Sequence, residues 1–391
     1  MAHGYDVIVL GAGAMGAAAA FHLASRGASV LVLEQFLRGH ARGSSHGGSR
    51  VVRRAYFEHP DYVPLLRVAM DDWEDLQSRT GARLLHRCGV LYGGDPDGRV
   101  IRGSAESAGR HGIPFELLDA DEAMRRWPQF RLPPGMAALW EPEAGFVRPE
   151  ASVCAFLRLA EGHGAVVQEG ERVESFEEAG RTIHLETDAQ RYECERLVIA
   201  AGAWTGALCQ VLGVPLRPTR QVMGWVEPEG PEAQSASHES RLPVWLLEDG
   251  PAGPLYGIPT ADGQGEPGGV KVAHHLPGPM IDPDAGAAPP SPREREVLQR
   301  DVARMVPGIA GPVRHATTCI YTMSPDEHFV LDRLPGHRRT FVAAGFSGHG
   351  FKFAPVIGRA LADLALEAET ELPIGFLSWR RFGVSRAPDL A

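Results

Sequence analysis

Tyr5 to Gln35 reads YDVIVLGAGAMGAAAAFHLASRGASVLVLEQ, and no other stretch of the chain restricts its fold so tightly. An apolar run with strand character ends in Gly11-x-Gly13-x-x-Gly16, an alanine-rich helical segment follows, and a second apolar run ends on Glu34. In a nucleotide-binding βαβ unit the first glycine makes the turn, the second admits a pyrophosphate, and the third lets helix pack on strand. The acidic residue closing the second strand then meets a ribose hydroxyl. The triplet alone also describes a generic tight turn. With strand, helix and Glu34 all in their required places, a dinucleotide site is the better reading, although the fingerprint does not separate NAD from FAD.

A second glycine device lies near the other end. Thr340 to Leu364, TFVAAGFSGHGFKFAPVIGRALADL, reads as a strand, a turn holding Gly345, Gly348 and Gly350, and a helix. Glycine removes the Cβ that keeps a backbone away from a flat or anionic ligand. A third apolar run, LVIAAGAW at Leu197 to Trp204, closes on Gly202. A plain nicotinamide domain does not need these extra turns. They point to one extended cofactor, FAD, gripped by segments far apart in the chain.

The 391 residues, 44% apolar and 23% charged, are an ordinary globular mixture with room for two or three domains. Thirty-nine basic against 49 acidic side chains give a net charge of -10, which argues against a nucleic-acid partner. Cys88, Cys154, Cys194, Cys209 and Cys319 are odd in number and lack C-x-x-C spacing, so neither a disulfide framework nor a metal site is expected. A reducing, cytoplasmic setting fits this usage. The apolar start lacks a basic n-region, and no segment offers the roughly 18 apolar residues of a membrane span.

Between the terminal devices, the glycine, serine and arginine-rich turn Arg42 to Arg54 precedes a helical pattern over Tyr62 to Arg79. Strands are expected at Cys88 to Gly93 and Ala137 to Trp140 around two short helices, and a helix from Pro149 to Ala160. Val166 to Ala201 alternates strand-like runs around the turn Glu178 to Arg181, and further strands are expected at Arg217 to Glu227, Val244 to Glu248 and Val270 to His275. Pro277 to Pro292 reads as a surface excursion. The fold class is therefore α/β (α+β): a glutathione-reductase-like Rossmann cofactor domain (1–86, 149–215 and 318–391) with an inserted mixed-sheet substrate domain (87–148 and 216–317).

With these residues in view, the chain resembles the monomeric sarcosine oxidase and N-methyltryptophan oxidase family of FAD-dependent amine oxidases, nearly end to end. The resemblance rests on GAGAMG at Gly11 to Gly16, GSSHGGSRVVRRAY at Gly43 to Tyr56, YGIP at Tyr256 to Pro259 and VKVAHH at Val270 to His275. Its most specific stretches are CIYTMSPDEHFVLD at Cys319 to Asp332 and AAGFSGHGFKF at Ala343 to Phe353. The resemblance implies FAD bound covalently through a thioether from Cys319 to the flavin 8α carbon. For a lone cysteine, a buried small hydrophobe would be the plainer reading.

By the same resemblance, Gly11, Gly13, Ala14, Met15, Gly16, Glu34, Gln35, Ser44, His46, Arg50, Val173, Ala201, Gly202 and Trp204 contact the cofactor, as do Phe346, Gly348, His349, Gly350, Phe351 and Lys352. Arg53 and Lys352 match the pair that holds a substrate carboxylate, and a charge-assisted contact of that kind fixes an amino acid in place. For Arg53, in a basic run, surface charge is the plainer alternative. Tyr256, His275, Tyr321 and Gly345 match the substrate pocket, where a lone histidine is more often a satisfied structural group than a base. Lys271 matches the lysine at which oxygen is reduced, and strand alternation leaves open whether it shares a face with His275. Lys271, His275, Arg50 and Tyr321 are the expected catalytic set.

The sequence departs from the family at Ser45, Gly48, Ser49, His274 and Phe57 to Pro60, which puts substrate identity in doubt. The implied activity is oxidative demethylation of sarcosine or another N-methyl amino acid by a monomer, with O2 as acceptor and aldehyde, amine and H2O2 as products. Oxidation of another secondary or cyclic amino acid, pipecolate- or proline-like, is the nearest rival. A nicotinamide-dependent dehydrogenase and an idle flavin-fold binding module are the readings from other classes.

Overall fold

Strand Gly4–Leu10 is buried along its last four residues and has a parallel neighbour on each side, Val30–Glu34 and Arg191–Ile199. These pairings come from a computed structural model that describes residues 4–249, 253–263, 265 and 267–383. The expected outer bounds of the cofactor domain, 1 and 391, lie outside the described residues.

The strands of the first sheet run in the order Val173–Ala179, Thr182–Thr187, Arg191–Ile199, Gly4–Leu10, Val30–Glu34, Val166–Glu169. Arg191–Ile199 carries two neighbours on one edge. Its first half pairs antiparallel with Thr182–Thr187, while Leu197 to Ile199 pair parallel with Thr340–Ala344. Strands buried on both faces read as continuous apolar runs, which is why VIVL, VLVL, LVI and FVAA were visible in the sequence. One face is covered by helices Ala14–Ser25, Pro149–Gly162 and Ala354–Glu367. Small residues set their spacing: a Cβ on Gly358 would sit 2.5 Å from the Ala18 Cβ.

The second sheet is mixed, ordered Val313–Met323, Arg217–Val226, Val270–His274, Leu255–Ile258, Val244–Leu247, Val90–Gly94, Ala137–Glu141, Glu116–Asp119. Strand Val313–Met323 spans residue 318, the expected boundary, and pairs with Arg217–Val226 along its whole length. Helix Pro292–Met305, begun by a Ser291–Glu294 capping box, backs this sheet through Leu298, Val302 and Met305. A small third sheet joins Arg50–Val52 and Leu85–His86 to Gly145–Val147. The excursion Pro277 to Pro292 holds no helix or strand before Pro292 opens the helix, yet it is pinned at Asp284, which takes two hydrogen bonds from Arg172 and one from the Trp204 indole (2.7 Å).

Candidate active site

The first glycine turn behaves as its spacing demands. Gly11 has φ +95°, a conformation that disfavours a side chain, and a Cβ on Gly16 would lie 1.8 Å from the Gly11 carbonyl oxygen. A Cβ on Gly13 would meet only the Ser45 hydroxyl, at 3.5 Å, so this glycine faces open space. That space is a cavity of about 610 Å³, bounded by the glycine turn, by Glu34 and Gln35, and by Val173 and Ala201 to Trp204. Its far end reaches Ser44, Arg50, Tyr321, Gly345, Phe346, Gly348, Gly350 and Phe351. Both glycine devices and the LVIAAGAW turn thus open on one elongated chamber. The chamber fits a dinucleotide, with the N-terminus of helix Ala14–Ser25 at one wall and an acidic residue beside it.

Glu34 is buried and its two oxygens accept the backbone N–H groups of Ala12 (2.8 Å) and Phe36 (3.0 Å). The departures at Ser45, Gly48 and Ser49 are used. Ser45 accepts the Ala14 N–H (3.1 Å), Gly48 donates to the Glu150 carboxylate, and the Ser49 carbonyl accepts from the Lys271 ammonium (2.6 Å). His46 is buried with Nε2 unpartnered among the described residues, and burial holds its pKa down at about 3.

One face of the second sheet gathers most of the remaining candidates. In antiparallel pairs, opposite residues share a face, and Lys271 stands opposite Trp225, Tyr256 opposite Ala273, Cys319 opposite Gln221 and Tyr321 opposite Thr219. Odd-numbered residues of three strands and even-numbered ones of Leu255–Ile258 therefore look the same way. Lys271 and His275 are four apart and need no bulge to share that face, which resolves the alternation left open by the sequence. His274 points to the other side and pairs with Asp301 (3.1 Å).

His275 Nδ1 lies 3.3 Å from the Tyr321 hydroxyl, which is also bonded to Tyr256. Burial lowers His275 to about 4, with Glu58 opposing, so the imidazole is neutral at ordinary pH. Lys271 is 1% exposed and burial drives its pKa well down, with Arg50 adding to the effect and Cys319 and Glu150 opposing it. Cys319 is buried beside the same two cations. Burial raises its thiol, while Arg50 and Lys271 pull it back. Cys319 is next to Ile320 and Tyr321 of the cavity wall without lining it itself.

Arg53 and Lys352 are both buried, which removes surface charge as an account of either. The Lys352 ammonium donates to the His349 carbonyl (2.6 Å) and lies 5.1 Å from the centre of the Tyr56 ring, over which the Arg53 guanidinium also sits at 4.5 Å. Burial, then Arg53, lowers Lys352 to about 7. His349 Nε2 donates to the Glu327 carbonyl (2.9 Å), so its Nδ1 accepts from the Tyr56 hydroxyl (2.5 Å).

Sequence reasoning missed Glu58. This carboxylate pairs with Arg53, is only 6% exposed in its side chain, and leaves Oε2 without a partner among the described residues. Its burial would raise the pKa, but Arg53, His349 and Lys352 outweigh it and hold Glu58 at about 2. The sequence flagged Phe57 to Pro60 only as an altered loop. Glu150, whose carboxylate gathers the Gly47 and Gly48 amides at the start of a helix, was missed as well.

The family model described as FAD dependent oxidoreductase matches residues 6–364. A monomeric sarcosine oxidase of Streptomyces avermitilis is 41% identical over 384 residues, 98% of this chain and 99% of that protein. An N-methyl-L-tryptophan oxidase of Salmonella enteritidis is 34% identical over 369 residues, 93% and 95% of the two chains. Among solved structures, NikD, an amino acid oxidase of nikkomycin biosynthesis, superposes with a TM-score of 0.83 at 26% identity, covering 96% of this chain and 97% of its own.

Proposed function

This chain belongs to the FAD-dependent oxidoreductases, alongside the monomeric sarcosine and N-methyltryptophan oxidases, and from that premise we propose that it oxidatively demethylates an N-methyl amino acid such as sarcosine. The carrying observation is that the buried cations Arg53 and Lys352 lie close enough to His275 to bear on its charge, while Tyr256, Lys271, Cys319 and Tyr321 share its sheet face and Tyr321 lines the dinucleotide chamber. Bound FAD supplies the two-electron acceptor that no side chain here provides.

The chain's own residues bind and orient. Arg53 and Lys352 meet the substrate carboxylate, with Gly345 at the adjoining wall. Tyr256, Tyr321 and His275 bound the amine, and a neutral imidazole hydrogen-bonds it without repelling positive charge. Arg50, which donates to the Ser44 and Ser49 carbonyls (both 2.9 Å), and Lys271 place positive charge at the chamber's end, where Cys319 would carry the cofactor as a thioether. Lys271 is the group next to which oxygen is reduced. Overall, R–NH–CH3, O2 and H2O become R–NH2, formaldehyde and H2O2. We also infer a monomer acting in the cytoplasm on a small amine. Among the described residues no helix is long and apolar enough to cross a membrane.

Peroxide release across a panel of N-methyl, cyclic secondary and primary amino acids tests the reading. N-methyl amino acids should lead. If proline- or pipecolate-like acids lead instead, the substrate assignment moves to cyclic secondary amines, and no peroxide from any amine would overturn the oxidase.

A further inference from the structure

Arg53 is followed by an irregular, buried stretch of backbone, and the groups that satisfy it come from the second sheet rather than from its own neighbours. Glu141, the last residue of strand Ala137–Glu141, is 0% exposed. Its Oε1 accepts the Arg54 N–H at 2.7 Å and its Oε2 the Ala55 N–H at 3.1 Å. The Tyr92 hydroxyl, also fully buried, lies 2.8 Å from the same Oε2 and 3.1 Å from the Ala55 carbonyl oxygen. That carbonyl also receives Arg53 itself, through Nη1 at 3.2 Å.

A carboxylate is a costly group to bury, and its hydrogen-bond partners here are two amides and a phenol rather than a cation. What it accomplishes is specific. The amide groups immediately following Arg53 are held in one orientation, and the carbonyl that braces the guanidinium is held by the same network. Two carboxylates therefore act on this loop in different ways: Glu58 pairs with the Arg53 head, and Glu141 fixes the backbone from which that head projects.

We propose that Glu141, assisted by the Tyr92 hydroxyl, is a positioning residue for substrate recognition: it fixes the Arg54–Ala55 peptide corner so that the Arg53 guanidinium is aimed at the substrate carboxylate. The inference rests on the reading of Arg53 as a carboxylate ligand given above. It predicts an effect confined to anionic ligands, since nothing in the network touches the amine side of the pocket.

The test is a double-mutant cycle on the holoenzyme, with acetate binding measured by calorimetry in the parent, Arg53→Ala, Glu141→Gln and the double variant. Glu141→Gln should weaken acetate about tenfold, the loss expected when a charge-assisted contact is misaimed, and should add nothing once Arg53 is alanine. In turnover it should raise KM for an N-methyl amino acid but leave KM for the corresponding neutral amide unchanged. Tyr92→Phe, the milder variant, should show the same pattern at about threefold and decides the matter alone if Glu141→Gln gives no folded holoenzyme. Losses that add fully to that of Arg53→Ala, or an equal rise in KM for the amide, would overturn the positioning role. Acetate binding unchanged in Arg53→Ala would overturn the carboxylate reading of Arg53 itself, and this proposal with it.

Discussion

The Arg53 guanidinium and the Glu58 carboxylate, five residues apart, form an ion pair that is almost wholly removed from water. The chain thus supplies its own carboxylate to the cation proposed to receive the substrate's. Of the Glu58 oxygens, one is engaged and the other has no partner among the described residues.

Glu58→Gln should therefore bind acetate more tightly than the parent, because no in-chain carboxylate competes. It should also cost stability, about 3–5 kcal/mol for a buried cation stripped of its partner, and saturating acetate should restore more of the melting temperature than it does in the parent. The pH dependence has a definite sign. A carboxyl depressed from 4.5 to about 2 contributes stability above its unfolded pKa and loses it as pH falls through that window. Melting curves between about pH 5 and 2 should accordingly fall more steeply for the parent than for Glu58→Gln. Acetate affinity equal to or below that of the parent, without thermal rescue, would sink the competition idea.

Arg53→Ala and Lys352→Ala should each weaken carboxylate binding by about 1.5–3 kcal/mol, roughly ten- to hundredfold, far more than they disturb FAD. Lys352, held at about 7, is half charged near neutrality, so carboxylate affinity should decline as pH rises through about 7. In Lys352→Ala that decline should flatten. Titrations across pH 6 to about 9 check both statements, and two variants that bind acids as the parent does would place the carboxylate elsewhere.

Cys319 should retain the flavin. An 8α thioether would need the Cys319 sulfur as nucleophile while the 8α C–H gives up its proton and the electron pair passes to the flavin, for O2 to remove; although burial raises this thiol, Arg50 and Lys271 both favour its ionised form. Acid denaturation should leave the yellow colour with the protein pellet, and Cys319→Ser should release it. Free FAD in the supernatant of the parent would exclude the thioether.

Lys271→Met should separate the two halves of turnover. A cation beside reduced flavin stabilises charge that develops only as oxygen is reduced, and negative charge arriving beside Lys271, whose pKa burial lowers, favours its ammonium form. Anaerobic flavin reduction by substrate should stay nearly normal while reoxidation slows by orders of magnitude. Stopped-flow records of both half-reactions check this, and equal losses in the two would reject the assignment.

The dinucleotide end of the site was legible because its rules are local. Gly11 needs a positive φ and Gly16 has no room for a Cβ, and both demands are met within a dozen residues of chain. Burial of the parallel strands on both faces left uninterrupted apolar runs, and Pro149 opens its helix as expected. The resemblance then named Arg53, Lys271, Cys319 and Lys352 one residue at a time.

Tertiary structure decided what those residues face. Lys271, Tyr256 and Cys319 share a surface only because four strands from distant parts of the chain pair in one register, and a shift of one residue would turn each to the opposite side. Glu58 and Glu141 look like ordinary acidic residues in the sequence, since charge patterning registers sign and not burial. Only the packed fold excludes water around them, and exclusion of water is what turns one carboxylate into the partner of Arg53 and the other into the anchor of its backbone.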